Sequence, residues 1–208
     1  MRNGELHIVS TGQQKPERLA EILGEIHFDV DFIHLREKAK TAKELYELFV
    51  LLVREKIPLS KIIINDRVDV ALVSDVNGVH LASHSLPAAV VGRKFSHLKI
   101  GCSVHSFEEA QLAEQQGADY LFFGHVYPTS SKEGLKPKGI EQLGFISESV
   151  SIPVIAIGGI KPSNTAKLIE AGAQGIAVMT GVLKAEDPVQ AVQRYRSFLS
   201  KPMNSDKG

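Results

Sequence analysis

A closed (βα)8 TIM barrel, in one domain, is the fold this chain predicts, and three observations predict it. Eight short apolar runs alternate with eight amphipathic ones. The apolar runs are near-continuous rather than alternating, as in parallel strands covered on both faces. The first run ends in STGQQKPE, without the G-x-G-x-x-G loop that an open doubly wound sheet usually carries early. With 208 residues, 43% of them hydrophobic, the chain can bury one substantial core. About 250 residues is usual for such a barrel, so this version is compact. The barrel is expected over residues 1–200, and a polar tail, 201–208, is expected to fray.

Strands are expected at 6–10, 31–36, 61–65, 78–82, 99–105, 120–125, 153–158 and 175–180. Helices are expected at 16–26, 41–56, 68–74, 87–94, 106–116, 139–149, 162–171 and 187–199. The second helix opens on Thr41 with Glu44 three residues on, a capping box, and carries Leu45, Leu48, Phe49 and Leu52 on one stripe. The fifth opens on Ser106 with Glu109, a second capping box, and Gly117 follows its end. Pro162 lies at the start of the seventh, and Gly172 follows its end.

Charge narrows the function classes. The 24 basic and 24 acidic residues cancel, so the chain lacks the field that gathers proteins on nucleic acid or anionic membrane. No run approaches membrane-spanning length, and the apolar patch near the N-terminus is too short for a signal peptide. The expected setting is cytoplasmic. The single cysteine, Cys102, excludes an internal disulfide and reads as a reduced, buried thiol. His84 and His105 stand at strand tips without H-E-x-x-H or other close ligand spacing, so no metal and no cofactor is expected. His34 and His80 lie inside strands and read as packed, hydrogen-bonded residues. A homodimer is expected only from the general habit of symmetric association.

In a barrel, chemistry gathers where strands meet the loops that follow. Those tips hold Thr11, Arg36 with Lys38, Asn65 with Asp66, Ser83 with Ser85, Ser103 with His105, His125, Gly158 with Gly159, and Thr180 with Gly181. The set is polar, basic and glycine-rich, suited to a small anion-bearing molecule. The glycines after the seventh and eighth strands are either tight-turn residues or backbone donors for a phosphate, and their joint position favours phosphate. Arg36 and Lys38 are either a carboxylate fork with a proton carrier or a solvated charge cluster. Asp66 either ligates magnesium or caps the third helix. His125 interrupts an apolar run just before Thr129, Ser130, Ser131 and Lys132. It is either structural or a group that exchanges a proton near neutral pH beside an oxyanion-binding loop.

In order, HLREK, INDRVDVAL, NGVHLAS, IGCSVH, GADYLFFGHVYPTSSKEG, PVIAIGGI and GIAVMTGV resemble the thiamin phosphate synthase superfamily over nearly the whole chain. Within it the chain looks closest to the TenI, or thiazole tautomerase, branch. The synthase pattern has Gln at His34, a magnesium-holding Asp at Ser85, and Gly-Pro at Gly124-His125. The resemblance therefore implies an isomerase. It would move a proton on a thiazole phosphate carboxylate, with His125 as base and Lys38 as a second acid/base. Thr129, Ser130, Ser131, Gly159, Thr180 and Gly181 would hold the phosphate, and Arg36, Ser103 and Asn65 would hold the rest of the substrate. Two other functions stay open: the synthase transferase itself, and a non-catalytic barrel that senses a pathway metabolite.

Overall fold

The computed structural model describes residues 4–132 and 134–199. The expected tail at 201–208 lies outside the described residues. Eight parallel strands close into a barrel: β1 (Glu5–Val9), β2 (Phe32–Leu35), β3 (Ile62–Asn65), β4 (Gly78–Leu81), β5 (Lys99–Val104), β6 (Tyr120–Gly124), β7 (Val154–Ile157) and β8 (Gly175–Val178). Closure is made by β1, which pairs with β2 through Ile8 and Ile33 and with β8 through Leu6 and Ile176. The helices are α1 (Pro16–Ile26), α2 (Ala42–Arg54), α3 (Val68–Val73), α4 (Ala88–Lys94), α5 (Phe107–Gln115), α6 (Ile140–Ser149), α7 (Pro162–Glu170), α8 (Thr180–Leu183) and α9 (Pro188–Leu199).

The predicted order of elements is the observed one, with two differences. β1 lies one residue earlier than expected and the other strands are shorter, most of them at the C-terminal end, where tip residues leave the ladder. The stretch after β8, expected as a simple strand end, turns at once into the extra helix α8.

Side-chain alternation divides the barrel into two cores. Leu6, Ile8, Ile33, Leu35, Ile62 and Ile64 point outward and pack with the helices in one large cluster. Val9, Tyr120, Phe122, Ile155 and Ala177 point inward and form a second, smaller one. His7, His34 and His80 share that interior, each within ring-stacking distance of Tyr120 and Phe122. Branched aliphatics usually fill such a barrel; here imidazoles do part of that work.

Local signals behave as expected at α2, where Thr41 and Glu44 cap reciprocally. At α5 only half the box forms. Ser106 accepts from the Glu109 amide, but the Glu109 carboxylate takes the His105 amide instead, at 2.7 Å. Gly117 and Gly172 have φ of 83° and 95°, the left-handed helix ends that the sequence indicated. The last helix is clamped by Arg196 to the residues that precede β1 and β2. Its guanidinium donates to the Asp29 and Gly4 carbonyls and, at 2.7 Å, to Asp31 Oδ2.

Candidate active site

The short strands deliver their tips to one cavity of about 1010 Å³ at the C-terminal mouth of the barrel. Arg36, Lys38, Asn65, Ser103, His125, Thr129, Ser130, Ser131, Gly159, Thr180 and Gly181 all line it. Asp66, His84, His105 and Lys132 line it as well.

One wall is cationic. Arg36 follows β2, its amide held by Ser10 Oγ at 2.8 Å. Burial pulls its guanidinium below the ordinary value, with Glu37 pulling the other way. Lys132 lies at the end of the hydroxyl loop. Desolvation lowers its ammonium, and then repulsion from Lys138, Arg36 and Lys38 lowers it further, against a smaller pull from Glu109. Arg36, Lys38 and Lys132 therefore feel one another across the mouth, an arrangement that an anion would relieve. Glu37 is buried beneath them, paired with Lys40 at 3.4 Å and with neither carboxylate oxygen hydrogen-bonded.

Beside that wall, Asp66 sits past β3 with φ of 67°. Its side chain does not cap α3, whose N-cap is Arg67 and has no side-chain cap bond. Instead Ser85 Oγ donates to Asp66 Oδ1 at 2.5 Å, and His84 Nε2 stands 3.7 Å from Oδ2.

His125 is 5% exposed. Its Nε2 faces the Leu135 carbonyl at 3.3 Å, and a carbonyl only accepts, so that nitrogen carries the hydrogen and Nδ1 is left as the acceptor. The segment after it is stitched to β7 by the Val126 and Tyr127 amides, which donate to Ile157 and Gly158. This close crossing gives the Gly158–Gly159 pair a packing role. Their φ values are 98° and 66°. A Cβ on Gly158 would fall on the His125 Cβ, and one on Gly159 would strike the Pro128 carbonyl. Gly181 is required for a related reason, because a Cβ there would meet the Tyr195 hydroxyl at 2.5 Å.

His80 is the site residue that sequence reasoning missed. It is packed and hydrogen-bonded, as its place within a strand suggested, but it also lines the cavity floor. Because β4 has only four residues, the position one before its last residue already faces the ligand space. His34 differs: it is buried beneath the floor against His7 Nδ1 at 2.9 Å, and it is not a lining residue.

The sequence profile described as Thiamine monophosphate synthase matches residues 6–182. The chain belongs to the thiamine monophosphate synthase family. A protein from Chlorobium luteolum named "Thiamine-phosphate synthase" is 43% identical over 177 residues, 82% of each chain. One of the same name from Pyrococcus furiosus is 38% identical over 199 residues, 94% of this chain and 95% of that one. The solved structure titled thiamine phosphate pyrophosphorylase from Pyrococcus furiosus superposes with a TM-score of 0.80 at 35% identity, covering 95% of this chain and 96% of that one.

These matches correct the isomerase expectation. It rested on three single-residue departures, whereas relatives alike over most of the chain carry the synthase name. The geometry also weakens the departures. His34 does not line the cavity, and Ser85 is bonded to Asp66 rather than leaving it isolated. In this family the resemblance implies magnesium. Among the described residues no group of three His, Cys, Asp or Glu side chains could enclose a metal. Magnesium bound to substrate phosphates takes only one or two protein carboxylates, so Asp66 alone fits that role.

Proposed function

We propose that this protein is a transferase that joins a pyrimidine diphosphate to a thiazole phosphate, the reaction of a thiamine-phosphate synthase. One observation carries the reading: a single cavity of about 1010 Å³ is lined by two different sets of anion-receiving residues. Arg36, Lys38 and Lys132 are the cations, with the hydroxyls of Thr129, Ser130 and Ser131. Gly159, Thr180 and Gly181, past β7 and β8, are the second set. Two anionic substrates need two such sets, and a volume at the upper end of ordinary ligand pockets gives them room together.

In this reading the cationic set holds the diphosphate and the glycine set holds the thiazole's phosphate. The C–O bond to the diphosphate breaks with its electron pair leaving on oxygen. A ring-nitrogen lone pair of the thiazole forms the new C–N bond to the same carbon. The three cations stabilise the charge that grows on the departing oxygen, the largest lever available for such a step. Asp66 would hold a divalent cation, which would supply further neutralisation of the leaving group. Asn65 and Ser103 orient the rings, and His125 Nδ1 offers them an acceptor.

The test is direct. Protein, magnesium, pyrimidine diphosphate and thiazole phosphate should yield thiamine phosphate and pyrophosphate in equal amounts. Lys132→Ala should reduce kcat/KM about a hundredfold or more. Binding of both substrates by the folded wild-type protein with no product would reject the transferase and favour a sensing barrel.

A further inference from the structure

Beneath the cavity a short hydrogen-bonded chain runs from Tyr120 through His80 to Ser103. His80 Nδ1 is 3.3 Å from the Tyr120 hydroxyl, and His80 Nε2 is 2.8 Å from Ser103 Oγ. We infer that Tyr120 and His80 fix Ser103 as a hydrogen-bond donor into the cavity, so that a ring-nitrogen lone pair of the ligand is the acceptor it selects.

The direction follows from the ends of the chain. Tyr120 is 2% exposed, and its hydroxyl hydrogen needs an acceptor. His80 Nδ1 is the one that stands within reach among the described hydrogen bonds. A neutral imidazole has one donor and one acceptor nitrogen. If Nδ1 accepts, Nε2 carries the hydrogen and donates to Ser103 Oγ. The hydrogen of Ser103 then has no protein acceptor among those bonds, and Ser103 lines the cavity. The reverse polarity would strand the buried phenol hydrogen.

His80 is held neutral by its surroundings. Its ring lies 4.3 Å from Phe122, 5.7 Å from Tyr120 and 5.5 Å from His34. Burial, with His7 and Arg36 adding repulsion, takes its pKa down to about 3. His34 does not feed the chain, because its Nε2 serves His7 and its Nδ1 has no partner. The place of Tyr120 is itself built in. Gly101 faces it across the ladder, and a Cβ there would fall on the phenol ring. Tyr120 and His80 are thus positioning residues, and the polarity they impose is a specificity element.

The ligand half of the inference rests on the proposed function, that the cavity takes a nitrogen heterocycle. The protein half does not. Long-range proton–nitrogen NMR on histidine-labelled full-length protein at neutral pH, with His80→Asn for assignment, should find the His80 hydrogen on Nε2. A hydrogen on Nδ1, or an imidazolium, would overturn the polarity. For the ligand half, calorimetry compares the pyrimidine diphosphate with its two analogues that each replace one ring nitrogen by CH. One analogue should bind wild type about tenfold more weakly, and Ser103→Ala should bring that ratio within twofold of unity. Equal binding of both analogues to wild type would overturn the ligand half. Neither readout requires turnover, so a failed transferase assay leaves both standing.

Discussion

Ser85 Oγ donates to Asp66 Oδ1 across 2.5 Å and itself accepts the Ala82 amide at 2.9 Å. The Asp66 carboxylate, which lines the cavity, therefore keeps one oxygen, Oδ2, outside this bond. Ser85→Asp would add a second carboxylate at the same place and remove the donated hydrogen. The expected result is magnesium binding in the presence of pyrophosphate that is about tenfold tighter, measured by calorimetry. Unchanged affinity would show that this corner does not face the cation.

Acid should destabilise the protein through its barrel interior. Desolvation holds His7 and His34 below the ordinary histidine value and takes His80 to about 3. The unfolded chain binds those protons more readily. The stability these groups contribute is complete above their unfolded pKa, near 6.5, and falls as pH drops toward the folded value. For His80 alone the slope is about 1.4 kcal/mol per pH unit between 6.5 and about 3. Urea unfolding at several pH values checks it. His80→Asn should make the curve shallower by one proton.

Gly158→Ala should cost at least about 2 kcal/mol. The residue has φ of 98°, and the new methyl would overlap His125. A loss of that size in urea unfolding, together with lost ligand binding, is the expected pair of results. A stable variant with intact binding would refute the crossing described at β6 and β7.

Arg196→Ala should cost about 3 kcal/mol and leave the KM values of the remaining folded enzyme unchanged. Its guanidinium joins α9 to the segment before β2 and to Gly4, and none of Gly4, Asp29 and Asp31 lines the cavity. A changed KM would mean that this clamp transmits strain to the mouth.

Much of the architecture was legible because each signal was local. Buried parallel strands need continuous apolar runs, and helix ends need Thr41, Gly117 or Pro162. The strand-tip rule placed Arg36, Lys38, Asn65, Ser103 and His125 around the cavity without any distance. What escaped depended on three dimensions. His80 looked like filler because the shallowness of the barrel floor is not written in one strand. Glu109 was read as the partner of Ser106, but a competing amide at His105 took it. Gly158, Gly159 and Gly181 were read as openings for a phosphate, and the structure adds that neighbouring chain and a tyrosine need the same space. The choice between transferase and isomerase failed for another reason: it weighted a few positions, one of them turned away from the ligand, above the likeness of the whole chain.

The pairing of β1 with both β2 and β8 has a consequence for how this protein fails. Every strand already has a neighbour on each side, so the native ring offers no row of free amides on which a foreign strand could grow. Aggregation then has to begin from opened molecules, and its rate should follow the unfolded fraction rather than the total concentration of native protein.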